Sequence, residues 1–343
     1  MAQKRITCYF HPDQLLFKPK YEWAFGLRLK HPESTKRAET IYKALKKHPQ
    51  LFELKQPNKI PMKYIRETHR ARLITLYNTA SELTDLETFY PSVFPKLNST
   101  KVDPINIRHA GCFCFDSGTP LDNTVWKASS WSAACSVEAA NQLIQHPDKI
   151  YYALSRPPGH HATQSQYGGY CYLNNTAIAA KKLRKKGRVV ILDLDFHHGN
   201  GTQDIFYHDD QVMTISLHGD PRFFFPFFWG YPDEAGQGKG LGYNLNFIFQ
   251  KNTQIEEFHR ILVHHALPRI EQFQPDYLVV AMGFDSFKED PVGDFLFETQ
   301  DYFTIAQELT KIKVPTMIVQ EGGYSSKSLG LNAVSFLKGF LNS

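Results

Sequence analysis

Five apolar runs, at 150–154, 189–194, 212–217, 277–282 and 315–319, each end in a burst of polar residues, and segments with helical spacing occupy the intervals. Residues 129–145, 173–186, 254–273, 300–311 and 328–341 carry apolar positions three and four apart. Such alternation predicts an α/β fold, a mostly parallel sheet with helices on both faces, in the manner of a three-layer sandwich. The polar bursts are Ser155-Arg156-Pro157-Pro158-Gly159-His160-His161, Asp193 through Gly201, His218-Gly219-Asp220-Pro221, Gly283-Phe284-Asp285 and Gln320-Glu321-Gly322-Gly323-Tyr324. In open α/β sheets ligands bind beyond the carboxyl ends of the strands, so five loops are expected to build one active site.

A chain of 343 residues suffices for one large domain. No Gly/Ser or charge-rich linker and no internal repeat divides it, and a single domain over 1–343 is expected, with loop insertions near 17–35 and 84–125. The N-terminal residues lack the apolar core of a signal peptide and no run is long enough to span a bilayer, so the expected protein is soluble and cytoplasmic, with no membrane partner. Cys8, Cys112, Cys114, Cys135 and Cys171 follow no zinc-ribbon or redox spacing and read as reduced thiols; Cys112-Phe113-Cys114 is a weak metal hint. The net charge of +5 is modest, and the Lys/Arg pairs read as helix faces, which argues against nucleic acid as a partner.

The most chemically loaded stretch is 189–204. Alternate side chains of an extended chain share a face, so Asp193, Asp195 and His197 converge while Leu194, Phe196 and His198 point away. A lone Asp-x-Asp would read as a solvated strand end. Burying two carboxylates beside an imidazole without a cation would cost several kcal/mol, so this cluster is expected to have one.

These motifs, with Gly168 through Asn175, resemble in content and order the histone deacetylase and acetylpolyamine amidohydrolase family, which has the arginase-deacetylase fold; the resemblance covers nearly the whole chain. Length, Phe225-Pro226 and the His218-Gly219-Asp220-Pro221 neighbourhood are more similar to its bacterial acetylpolyamine branch. Asp195, His197 and a distant Asp285 form an Asp/His/Asp set that leaves positions open, as a catalytic zinc requires, and the resemblance implies the same three ligands, with one Zn²⁺ per subunit and Fe²⁺ or Co²⁺ as substitutes. Two carboxylates neutralise the ion and acidify its water less than an all-histidine site would, so a separate general base is expected. Taken alone, a His-His pair after Pro-Pro-Gly would more often be structural. The resemblance pairs His160 with Asp193 and His161 with Asn200, where some relatives carry Asp. A carboxylate favours imidazolium and a neutral amide much less, so His160 is expected to be the charged partner and His161 the base.

The resemblance further implies Tyr324 as the oxyanion donor, with Gly322 and Gly323 giving it a flexible approach, and Gly169, Tyr170 and Phe225 as tunnel residues. Most of the aromatic run 223–229 is expected to be core or subunit interface, a mild argument for a homo-oligomer, a dimer. Structural K⁺ is implied at two places by resemblance alone: at Asp193, Asp195, His197, Ser216 and Leu217, and at Phe206, Asp209, Val212 and Tyr243. A tunnel ending at zinc fits an acetylated primary amine, a small-molecule acetylpolyamine, with acetyl-lysine of a protein as the alternative. The polyamine branch places a Glu where this chain has Gly118, so Asp116 is the expected substitute for binding a cationic substrate. A non-catalytic acetyl-ligand sensor and an arginase-type ureohydrolase are remote alternatives. The first would have lost a ligand or the tyrosine, and the second would need further Asp ligands where His160 and His161 stand.

Overall fold

Val190 and Leu192 bury themselves on one side of their strand with Ile6, Leu278 and Ile318, whereas Val189 and Ile191 bury themselves on the other with Leu183, Val279 and Met317. Both faces of the sheet are therefore covered, which explains why its strands read as continuous apolar runs. The structure is a computed structural model and describes residues 5–84, 88–95 and 102–341. In chain order the strands are β1 Ile6–Tyr9, β2 Tyr21–Ala24, β3 Leu27–Lys30, β4 Phe52–Lys55, β5 Tyr151–Ala153, β6 Val189–Asp193, β7 Val212–Gly219, β8 Asn244–Phe249, β9 Tyr277–Met282 and β10 Thr316–Gln320. Eight of them form one sheet in the order β4-β1-β5-β10-β9-β6-β7-β8. All of its pairings are parallel, beyond the mostly parallel sheet expected.

Four expected helices stand close to their predicted limits: Val125–Gln145, Asn175–Arg184, Thr299–Thr310 and Leu329–Gly339. The fifth is interrupted. Its Ile255–Ile261 and Leu267–Phe273 parts flank a π-helical turn, Leu262–Ala266, just before Pro268, whose ring removes one donor from the α-helical ladder. The sequence reading missed β1 and β4, which span only four residues each. It also missed β8, where Asn244 and Asn246 face a buried polar network and break the apolar run: both amides donate to Gln203 Oε1, at 2.8 and 2.9 Å. The insertion at 17–35 is largely the hairpin β2–β3. In the insertion at 84–125, residues 85–87 and 96–101 lie outside the described residues; elsewhere Phe113, Leu121 and Val125 join Tyr77, Tyr167 and Tyr172 in a separate core beyond the sheet.

One buried histidine locks that region to the sheet. His69 accepts a hydrogen bond on Nε2 from the Asn174 amide at 2.9 Å, so its Nδ1 carries the proton donated to the Thr163 carbonyl, also at 2.9 Å. Asn174 in turn caps the helix Asn175–Arg184 through the Ala177 amide. Burial pulls the His69 pKa down to about 4. A depressed folded-state value means that the unfolded chain binds the extra proton first. His69 thus contributes fully above pH ~6.5, and its contribution of roughly 3 kcal/mol at most drains away between there and pH ~4. Urea unfolding midpoints are expected to fall across that window, and His69→Gln should flatten the fall; an unchanged slope would remove His69 from the account.

Candidate active site

The chain order of the chemically loaded loops differs from their order in space. β5, β10, β9 and β6 are consecutive neighbours, so His160 and His161, Tyr324, Asp285, and Asp195 with His197 emerge side by side at one edge. Asp193 at the end of β6 pairs in register with Ala281 of β9, and the Leu194 amide bonds the Ala281 carbonyl at 2.9 Å. That last rung draws Asp195 and His197 toward Asp285. His197 Nδ1 lies 3.0 Å from Asp285 Oδ2 and 3.4 Å from Asp195 Oδ1. Backbone amides fix the carboxylates: Asp285 Oδ1 accepts from Phe196, Asp195 Oδ1 from His197, and Asp195 Oδ2 from Gly322, at 3.0, 2.9 and 2.7 Å. Gly322 is needed for this approach, since a Cβ there would stand 2.3 Å from Asp285 Oδ2.

One ligand atom from each of Asp195, His197 and Asp285 lies within 4.8 Å of the others, and all three residues are buried. Burial, compounded by the Asp195 charge, lifts the Asp285 carboxyl to about 7. Burial opposes charge on His197, yet Asp195 and Asp285 outweigh it and raise the imidazole to about 9. Asp195, despite its burial, is held ionised by the neighbouring His160 and His197, while Asp285 and His197 are shifted toward their protonated forms. A divalent cation can replace those protons, and imidazole with carboxylate suits a metal of the zinc type. His160, Cys171 and Glu321 also cluster. There, however, the Glu321 carboxylate is filled by the Gly159 and His160 amides and the Thr176 hydroxyl, and burial holds the Cys171 thiol far above its usual range. Those three residues are a structural knot.

The two histidines differ in their partners. His160 Nδ1 lies 3.0 Å from Asp193 Oδ2, and His161 Nδ1 lies 2.7 Å from Asn200 Oδ1. Their rings are 4.0 Å apart. Burial disfavours charge on both. At His160 the Asp193 and Asp195 carboxylates reverse this and lift the pKa to about 10. At His161 burial, the neighbouring His160 and His197 act together and the pKa falls well below the usual histidine range.

Tyr324 follows β10 with its ring 4.6 Å from the Arg37 guanidinium carbon. Its backbone is fixed by Asp290, whose carboxylate accepts from the Tyr324 and Ser325 amides at 2.6 and 2.8 Å. Arg37 donates to the Glu321 and Gly323 carbonyls and is held by Glu33, which also pairs with Arg156. Sequence reasoning identified Tyr324 but missed Arg37, Glu33 and Asp290. Nothing in their spacing distinguishes them from ordinary surface charges.

His161, His197 and Tyr324 line a cavity of about 620 Å³, which also has Phe225, Tyr170 and Glu22 among its walls. The Phe225 ring packs edge-on against His161 at 4.9 Å and Tyr170 against Tyr324 at 5.9 Å. Gly169 sits on His161, where a Cβ would come within 2.3 Å of the ring. Asp116 reaches the same cavity, but both of its oxygens are engaged by the protein, accepting from Gly118, Thr119 and Gly169. The acid that sequence reasoning passed over is Glu22 of β2, buried in the wall and receiving the Tyr170 hydroxyl at 2.6 Å. Burial and nearby Asp116 raise its pKa. Phe25 at the cavity is 89% exposed, and in the aromatic run Phe223, Phe227 and Phe228 are 64%, 41% and 53% exposed, so the run is only partly buried.

Of the residues expected at K⁺ sites, Asp193 and Ser216 are register partners on β6 and β7, next to Leu217, and the Ser216 hydroxyl lies 2.8 Å from His218 Nδ1. In the second set, the Phe206 carbonyl accepts from the Asp209 amide and the Tyr243 carbonyl from Thr214, both at 2.9 Å, and Val212 opens β7.

The histone deacetylase domain family matches residues 31–340. Acetylpolyamine amidohydrolase 2 of Pseudomonas aeruginosa is 41% identical over 253 residues, 73% of either chain. The acetylpolyamine amidohydrolase of Burkholderia pseudomallei is 35% identical over 341 residues, covering 98% of both. A crystal structure of acetylpolyamine aminohydrolase from that organism superposes with a TM-score of 0.90 at 34% identity, covering 98% of each chain.

Proposed function

The chain belongs to the histone deacetylase domain family and is a deacetylase, and we propose that it hydrolyses the acetyl amide of a small N-acetylated amine carrying a cationic tail, an acetylpolyamine. One observation carries the substrate class: Glu22 is set in a largely apolar wall of the cavity that His161, His197 and Tyr324 also line, bonded to Tyr170. An alkyl chain gains by lining that wall, and a buried carboxylate whose pKa is already raised gains most from an arriving ammonium group. The polyamine-type names of the relatives support the same reading.

Asp195, His197 and Asp285 would hold the metal, for which Zn²⁺ is our choice and Fe²⁺ or Co²⁺ the substitutes. Bound there, the ion supplies Lewis acidity toward the acetyl carbonyl and the attacking water. His161, neutral and oriented by Asn200, takes a proton from that water and returns it to the leaving amine. His160, charged against Asp193, lends electrostatic stabilisation as negative charge develops on the carbonyl oxygen, and Tyr324 donates a hydrogen bond to that oxygen. The Gly169 carbonyl receives the substrate amide N–H, and Phe225 and Tyr170 flank the alkyl chain.

The test is kcat/KM on N-acetylputrescine and N8-acetylspermidine beside an acetyl-lysine peptide. Preference for the small amines by about a hundredfold is expected, roughly 3 kcal/mol. Glu22→Gln should raise KM for the small amines about ten- to hundredfold, the worth of a charged hydrogen bond, while kcat changes little. A preference for the peptide would make the protein a lysine deacetylase.

We further propose K⁺ at the two places named above, on the family resemblance, with the Asp193–Ser216 pairing as support at the first. A homodimer that covers Phe25, Phe223 and Phe227 is proposed on their exposure. The cytoplasm is the proposed compartment, supported by five free, buried cysteines, and no helix among the described residues is long and apolar enough to cross a membrane.

A further inference from the structure

Asp116 has the composition of a substrate-binding acid and the hydrogen bonds of something else. Its Oδ1 accepts from the Gly118 and Thr119 amides, both at 2.8 Å, and its Oδ2 accepts from the Thr119 hydroxyl at 3.0 Å and the Gly169 amide at 2.5 Å. The Thr119 hydroxyl in turn accepts from the Tyr170 amide at 3.0 Å. The two residues tethered in this way, Gly169 and Tyr170, are consecutively left-handed, with φ of +57° and +64°. For glycine that conformation is free; a bulky aromatic residue adopts it only when its surroundings hold it there.

Three functional groups depend on the placement of this turn. Gly169 lies against the His161 ring on one side and Phe225 on the other, where an added Cβ would stand 2.3 and 2.9 Å away. Tyr170 contacts the Tyr324 ring edge-on and presents its hydroxyl to Glu22. A shift of the turn would therefore move the wall beside the base, the neighbour of the oxyanion donor and the partner of the cation-binding acid together.

We propose that Asp116 is a positioning residue whose carboxylate, directly and through Thr119, locks the left-handed Gly169–Tyr170 turn and so sets the spacing of His161, Tyr324 and Glu22. It does not itself bind the cationic tail. The inference rests on the deacetylase reading for its kinetic consequences, while the lock itself is a statement about the backbone. Asparagine at 116 keeps the oxygen facing Gly118 and Thr119 but turns an NH₂ toward the Gly169 N–H, setting donor against donor.

The test compares wild type, Asp116→Asn and Thr119→Val on N-acetylputrescine and on its uncharged analogue N-butylacetamide, with amide exchange of segment 168–172 measured on the same proteins. The expected result is a fall in kcat of roughly ten- to hundredfold on both substrates, the uncharged one included, since His161 and Tyr324 serve both. Exchange at 168–172 should rise about tenfold or more while the sheet stays protected. Thr119→Val, which keeps the acid, should reproduce a milder form of both effects. A KM rise confined to N-acetylputrescine, with kcat unchanged on both substrates, would return Asp116 to cation binding, and unaltered exchange at 168–172 would overturn the lock. If the wild type turns over neither substrate, the small-amine reading fails, and the exchange data still decide the lock.

Discussion

Tyr324→Phe is expected to lower kcat by roughly 10² to 10³, the loss of about 3–4 kcal/mol found when one oxyanion donor is removed. The ring stays wedged between Arg37 and Tyr170, and Asp290 holds the backbone, so the substitution removes a hydroxyl and little else. Metal content and KM should remain near wild type, because neither the Asp195, His197 and Asp285 set nor the aromatic wall is touched. Metal analysis and steady-state kinetics on one preparation check both halves. A loss of bound metal in the variant would assign the phenol to the metal set, and a retained kcat would leave the oxyanion without the donor argued for it.

The second large effect separates the paired histidines. His161→Ala should cost about 10² to 10⁴ in kcat, the range of a positioned general base, with little loss of stability, since its partner Asn200 is neutral. His160→Ala should show the reverse balance. It strips the buried Asp193 of its counter-charge, and breaking a buried pair costs about 3–5 kcal/mol, so the unfolding midpoint should fall further than in His161→Ala while kcat falls less. Equal losses of activity and of stability in the two variants would abolish the distinction drawn from Asp193 and Asn200.

Much of this was legible before any coordinates. The apolar runs predicted five strands of the sheet, and the polar residues after them predicted which edge carries chemistry. The alternation of Asp195 and His197 placed two donors on one side of an extended segment, whereas Asp285 lies far along the chain and depended on the resemblance. What escaped did so for physical reasons. A carboxylate looks the same in a sequence whether it faces a ligand or a ring of amides, which is why Asp116 read as a substrate contact and Asp290 passed unnoticed. Glu22 sits on a hairpin whose β3 strand is exposed, and the residues packed against it, Tyr170 and Gly118, come from distant loops. β8 was lost because its asparagines serve a polar network.

β10 lies between β5 and β9, although it is the last strand in the chain. A ribosome must therefore have made residue 320 before the middle of the sheet can close, and until then β5 and β9 present unpaired edges to whatever else is in solution. The parallel pairings join segments remote in the chain, which makes their formation slow, and Tyr324 follows immediately behind the strand that completes them. Synthesis thus delivers Tyr324 just behind the strand that makes the scaffold continuous, and a nascent chain halted before it would hold Asp195, His197 and Asp285 on an unfinished sheet.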